Sequence, residues 1–310
     1  MKKLLTILYF SFLIVTMNAQ PVELNTPTGT IFGTLQVPDV EHPVPVVLLI
    51  AGSGPTDRDG NNPAMKNNSL KMLADSLFEH GYASLRYDKR GIAESKDAGS
   101  DESELRFEHY IDDAAAWIEQ LRKDNRFSKY IIAGHSEGSL IGMIAAAKTQ
   151  ADGFISLAGA GYKAGDILKT QLAAQPEPVK SACYSSIDSL EAGKTFSEVN
   201  PLLYSLFRPS IQPYLISWFR YNPCEEIKKL TLPVLLVQGT TDIQVSVQDA
   251  ENLKQAKPGA RLVVIEGMNH ILKNAPAERQ ANIATYTDPV LPLNDILVKE
   301  VTAFIMQLQQ

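Results

Sequence analysis

The chain has 310 residues, 45% of them hydrophobic, and a formal net charge of -6. That length and mixture suit a sizeable globular domain with a deep core and exclude a fibrous or disordered chain. The acidic balance supplies no general basic field, and no basic run interleaved with aromatics follows, so nucleic acid is not an expected partner.

Met1, Lys2 and Lys3 make a positive start, Leu4 to Val15 an almost continuous apolar run, and Met17-Asn18-Ala19 ends on a small residue. This pattern predicts a cleaved export signal over 1–19, with a mature protein in the periplasm or outside the cell. The run falls short of the roughly 20 residues that cross a bilayer, so no membrane span is expected after cleavage.

Val22 to Val37 alternates around Gly29 and Gly33 and predicts an antiparallel hairpin. Val44 to Ile50 is continuously apolar, as a strand buried on both faces must be. Leu70, Leu73, Ala74, Leu77 and Phe78 recur at helical spacing up to Gly81, and Tyr82 to Tyr87 is the next strand. Ile111 to Leu121 then reads as a helix, Tyr130 to Ala133 as a strand and Leu140 to Ala147 as a helix. Phe154 to Leu157, Val234 to Val237 and Leu262 to Ile265 complete the predicted strands. Such alternation predicts an α/β fold, a mainly parallel sheet with helices on both faces.

Between Gly161 and Leu230 the alternation lapses into helical stretches broken by prolines. The predicted division is therefore a core of 20–161 and 230–310 with a helical cap inserted over 162–229. The two cysteines, Cys183 and Cys224, lack CxxC spacing and a neighbouring His cluster, so neither a metal site nor a thiol nucleophile is expected. Whether they pair is open at this level.

The sharpest motif is Gly134-His135-Ser136-Glu137-Gly138, set between a strand and a helix. It is the GxSxG nucleophile elbow, a strained turn that lifts the serine hydroxyl above the sheet. Serine needs a base, and of five histidines only His270 follows a late strand through a flexible turn. His42, His80 and His109 fall on predicted surface positions, and His135 is expected beside the pocket. Asp242, in the turn after Pro233 to Val237, supplies the acid and completes the chain order Ser, Asp, His. Its rival Asp249 lies in a predicted helix, where capping suits it better. The oxyanion donors are then the backbone N–H groups of Glu137 and of Ser53, the latter in the loop Ala51-Gly52-Ser53-Gly54-Pro55. That loop lacks the lysine and spacing of a phosphate-binding motif.

On these residues the sequence resembles the α/β-hydrolase superfamily over nearly its whole mature length. Gly52 to Gly60, Arg86-Tyr87-Asp88-Lys89-Arg90-Gly91 and the elbow are similar to a bacterial group of exported carboxylesterases related to serine aminopeptidase-like hydrolases. The resemblance implies hydrolysis of carboxylic esters, commonly short ones, without metal or cofactor. Ala51 stands where many members carry a histidine, a change a backbone-built hole tolerates. Asp57, Arg58, Asp59, Arg86, Asp88 and Arg90 are expected to form bracing ion pairs. Tyr204, Phe207, Tyr214 and Trp218 of the cap are candidates to line a substrate pocket. A peptidase or acyltransferase on the same residues, and a noncatalytic binding protein of the same fold, are the competing readings.

Overall fold

The computed structural model describes residues 19–99 and 101–310, so residues 1–18 of the predicted export signal lie outside it. The strands are β1 (Ala19–Thr26), β2 (Gly29–Gln36), β3 (Val44–Ile50), β4 (Ala83–Tyr87), β5 (Phe127–His135), β6 (Gly153–Leu157), β7 (Val234–Gly239) and β8 (Arg261–Ile265). They form one sheet in the order β1-β2-β4-β3-β5-β6-β7-β8. The first hairpin is antiparallel and joins β4 antiparallel, whereas every pair from β4 to β8 is parallel.

The apolar run of β3 explains why the sheet is covered twice. Val46, Leu48 and Ile50 pack into one core and Val47 and Leu49 into another, because successive side chains of a strand face opposite ways. On the first side lie helices α2 (Phe107–Leu121) and α3 (Glu137–Thr149). On the second lies α1 (Ser69–Glu79), joined by the last helix of the chain at Asp295–Gln307.

Between β6 and β7, in the interval predicted as a cap, come five helices: α4 (Ala164–Leu172), α5 (Glu177–Glu191), α6 (Tyr204–Phe207), α7 (Gln212–Phe219) and α8 (Pro223–Lys228). Phe107 of α2 stacks on Trp218 of α7 at 6.0 Å, so an aromatic contact fixes this layer to the core. Cys183 and Cys224 are both free thiols, the first buried and the second bonded through Sγ to the Gly161 carbonyl at 3.1 Å.

After β7 come α9 (Val247–Ala256), β8, α10 (Arg279–Ala284) and α11 (Asp295–Gln307). No helix among the described residues is long and apolar enough to cross a membrane. The chain leaves β4 on one side of β3 and enters β5 on the other, which opens a crevice beyond the carboxyl ends of these strands.

Candidate active site

That crevice receives the loops after β3, β5, β7 and β8, which carry Ser53, Ser136, Asp242 and His270 respectively. Ser136 sits between β5 and α3 with φ 54° and ψ -120°, a conformation costly for a residue with a side chain. Close packing enforces the turn. A Cβ on Gly134 would lie 2.0 Å from the Gly138 carbonyl oxygen, and one on Gly138 would lie 2.4 Å from that of Ile50. The two motif glycines let the elbow press against itself and against the end of β3.

Asp242 and His270 meet directly, with His270 Nδ1 2.8 Å from Asp242 Oδ2. The carboxylate also accepts the N–H groups of Gln244 and Val245 at 2.8 and 2.9 Å and the Gln238 side-chain amide at 3.0 Å. Burial would raise the Asp242 pKa, but the charge and hydrogen bond of His270 and the two amide donors outweigh it and hold the carboxyl below its usual value. The acid therefore stays ionised and holds a proton on His270 Nδ1, leaving Nε2 as the basic nitrogen.

Ser136 and His270 line one cavity of 160 Å³ together with Ser53, His135, Gln244 and Tyr286. The His270 ring makes its hydrogen bond to Asp242, and among the described residues none joins it to Ser136. In unliganded enzymes such a bond commonly tightens only once substrate is bound. Asp249, the rival acid, caps α9 by accepting from Ser246 N and Oγ and also accepts from Gly161 N.

His135 has a larger part than its sequence position suggested. Its Nε2 lies 2.7 Å from the carbonyl oxygen of His270, so the proton must be on Nε2 and the ring steadies the loop carrying His270. On the far side of that loop, Lys273 is fully buried and donates to the carbonyls of Asn67 and Asp288 at 2.6 and 2.8 Å. Tyr286, from a segment in which the sequence offered no site residue, closes the same cavity and accepts from the Gln244 side chain at 3.2 Å.

Glu137 follows Ser136, and its N–H, the first of α3, has no carbonyl four residues back within the helix. Its carboxylate is buried and already partnered, accepting from Tyr214 Oη and lying 3.5 Å from Lys89 Nζ. Burial pushes the carboxyl up, against the opposing pull of Lys89.

A second cavity, of 630 Å³, shares Ser53 with the first and is lined on its own side by Glu137. Of the four cap aromatics named from the sequence, Phe207, Tyr214 and Trp218 line it, whereas Tyr204 is 55% exposed and does not. Leu105, Leu206, Ile211 and Leu215 complete an apolar wall. Of the residues expected to form braces, Asp57 makes no ion pair among the described residues and instead accepts the N–H groups of Asp59 and Asn61, whereas the others pair. Arg58 pairs with Asp88 at 2.6 Å, Arg86 with Asp59 at 2.7 Å and Arg90 with Asp113 at 2.6 Å.

The fold recurs in solved proteins. The chain matches Est1E from Butyrivibrio proteoclasticus, solved with ferulic acid, with a TM-score of 0.64 and 18% identity over 92% of this chain and 99% of that one. It matches the Pyrococcus furiosus esterase Pf2001 with a TM-score of 0.60 and 14% identity over 98% of this chain and 96% of that one.

The chain has the α/β-hydrolase fold.

A family model described as serine aminopeptidase, S33, matches residues 65–184 of this chain. The esterase EstD of Thermotoga maritima is 28% identical over 273 residues, 85% of this chain. The chain spans 62% of the length of that curated relative.

Proposed function

We propose that this α/β hydrolase is an exported serine carboxylesterase acting through Ser136, His270 and Asp242. The observation that carries the reading is the 2.8 Å bond of His270 to a fully partnered Asp242, with Ser136 raised on a strained elbow in the same cavity. His270 Nε2 takes the Ser136 proton as Oγ attacks the ester carbonyl, and the Ser53 and Glu137 N–H groups hold the oxyanion. The imidazolium returns its proton to the departing alkoxide, which leaves as the alcohol. Water, deprotonated by the same nitrogen, then cleaves the acyl-enzyme to the acid.

The adjoining 630 Å³ cavity, apolar along Leu105, Leu206, Phe207, Ile211 and Trp218, suits a bulky apolar or aromatic part of the ester better than an acetyl group alone. An aminopeptidase needs an acid free to hold the substrate amine. Both carboxylates that line this cavity are engaged, Glu137 with Tyr214 and Lys89, Glu102 with Arg208 and Ser210. This favours esters over aminoacyl amides.

p-Nitrophenyl esters from acetate to decanoate, a feruloyl ester and aminoacyl anilides assayed together test the substrate reading. Ester turnover that disappears in Ser136→Ala supports it, and anilide turnover exceeding ester turnover refutes it. Export rests on Lys2, Lys3 and the apolar Leu4 to Val15 run. A mature N-terminus at Gln20 in protein recovered outside the cytoplasm is the expected result.

A further inference from the structure

Lys89 is among the largest fully buried side chains, at 1% exposure, yet neither the triad nor the ion-pair braces of the neighbouring arginines use it. Its ammonium donates to the carbonyl oxygen of Gly52 at 2.5 Å, lies 3.5 Å from Glu137 Oε2 and sits 4.9 Å above the Tyr110 ring. Gly52 O is not an arbitrary acceptor. It belongs to the same peptide unit as the N–H of Ser53, and that unit is trans. In a planar trans peptide the C=O and N–H point in opposite directions, so whatever fixes one aims the other. Glu137, the second partner of Lys89, bears the other oxyanion N–H on its own backbone.

We infer that Lys89 is the positioning residue of the oxyanion hole, holding the Gly52–Ser53 peptide by its carbonyl and the start of α3 by the Glu137 carboxylate so that both N–H donors face one point. The inference rests on the serine-esterase reading. A charge-assisted bond in a dry site is stiff enough for the task, and the other side-chain bond to the Gly52-Ser53-Gly54 loop among the described residues, from Thr56 Oγ1 to the Ser53 carbonyl at 2.9 Å, is neutral and lies on the following peptide. Ser53 and Gly54 are themselves exposed. Tyr214 adds a third corner through its bond to Glu137, which ties helix α7 to the same cluster.

The chemistry assigned to Lys89 is indirect, since it touches no reacting atom. Its removal should leave ground-state binding alone and weaken the hold on the tetrahedral species. The test compares wild type, Ser136→Ala, Lys89→Met and Lys89→Met/Glu137→Gln. The double variant avoids stranding a buried carboxylate should the single one fold poorly. Steady-state ester hydrolysis is measured beside inhibition by an aryl trifluoromethyl ketone, which forms the tetrahedral adduct, and by the product carboxylate. Expected is a fall in kcat of roughly 30- to 100-fold, short of the 10²–10³ seen when a donor is deleted outright. The ketone should weaken in parallel, while KM and product inhibition stay within about threefold. A folded Lys89 variant with kcat within threefold of wild type, or with lower kcat but undiminished ketone affinity, overturns the inference while leaving the esterase reading intact. A wild type that neither turns over ester nor differs from Ser136→Ala overturns that reading and this inference with it.

Discussion

His135 Nε2 lies 2.7 Å from the carbonyl oxygen of His270, so the residue before Ser136 holds the backbone of His270. The two rings are 4.8 Å apart, and both border the cavity that contains Ser136. The elbow and the loop after β8 are thus joined through an imidazole as well as through the sheet.

Replacing His135 by Phe should keep the bulk and lose the bond. kcat is expected to fall about tenfold with little change in KM, because a displaced base costs transition-state rather than ground-state binding. Michaelis parameters on a single p-nitrophenyl ester check this, and an unchanged kcat would count against a tether.

The same residue predicts a pH dependence of stability. Burial, followed by the charge of His270, pushes the His135 pKa from 6.5 down to about 4, although its bond to the His270 carbonyl and the nearby Asp242 pull it upward. Between those values the unfolded chain binds the proton and the folded chain does not. The contribution is therefore fully present above about pH 6.5 and is lost as pH falls from there to about 4, on the order of 3 kcal/mol in all. Urea titrations at pH 7 and pH 4.5 should show wild type losing more stability than His135→Gln, whose neutral amide does not titrate.

Asp242→Asn should fold normally and lose roughly four orders of magnitude in kcat, since an amide no longer selects the Nδ1–H tautomer or stabilises the imidazolium. Circular dichroism together with single-turnover kinetics separates this from misfolding. A loss of tenfold or less would point to another acid.

Tyr214→Phe removes a donor from a buried carboxylate and should cost about 1–3 kcal/mol in urea unfolding. Trp218→Ala widens the larger cavity and should raise kcat/KM for octanoate relative to butyrate by roughly tenfold, as a removed wall in an apolar pocket allows. A chain-length profile matching wild type would remove Trp218 from the pocket.

Much of this was readable in the sequence because each signal was local. Val44 to Ile50 announced a strand buried on both faces, and Gly134 to Gly138 announced the elbow between β5 and α3. Asp242 and His270 followed from their places after late strands, and the braces Arg58–Asp88 and Arg86–Asp59 from a charged cluster next to glycines. What stayed hidden depends on distance along the chain. Lys89 and Gly52 are 37 residues apart, and His135 and His270 are separated by 135. Tyr286 lies in a segment without hydrophobic periodicity, so nothing marked it as a wall of the site. Tyr204 shows the opposite failure. An aromatic within an apolar cluster invited a pocket role, but α6 is one short turn and leaves the ring turned to solvent.

The central claim is that one serine is a nucleophile activated by one histidine and one aspartate, and active-site phosphonylation measures this most directly. Incubation with a fluorophosphonate followed by peptide mass spectrometry should give a single adduct on Ser136, absent in Ser136→Ala and at least a hundredfold slower in His270→Ala. An adduct on another residue, or labelling of Ser136 at the same rate without His270, would contradict the account.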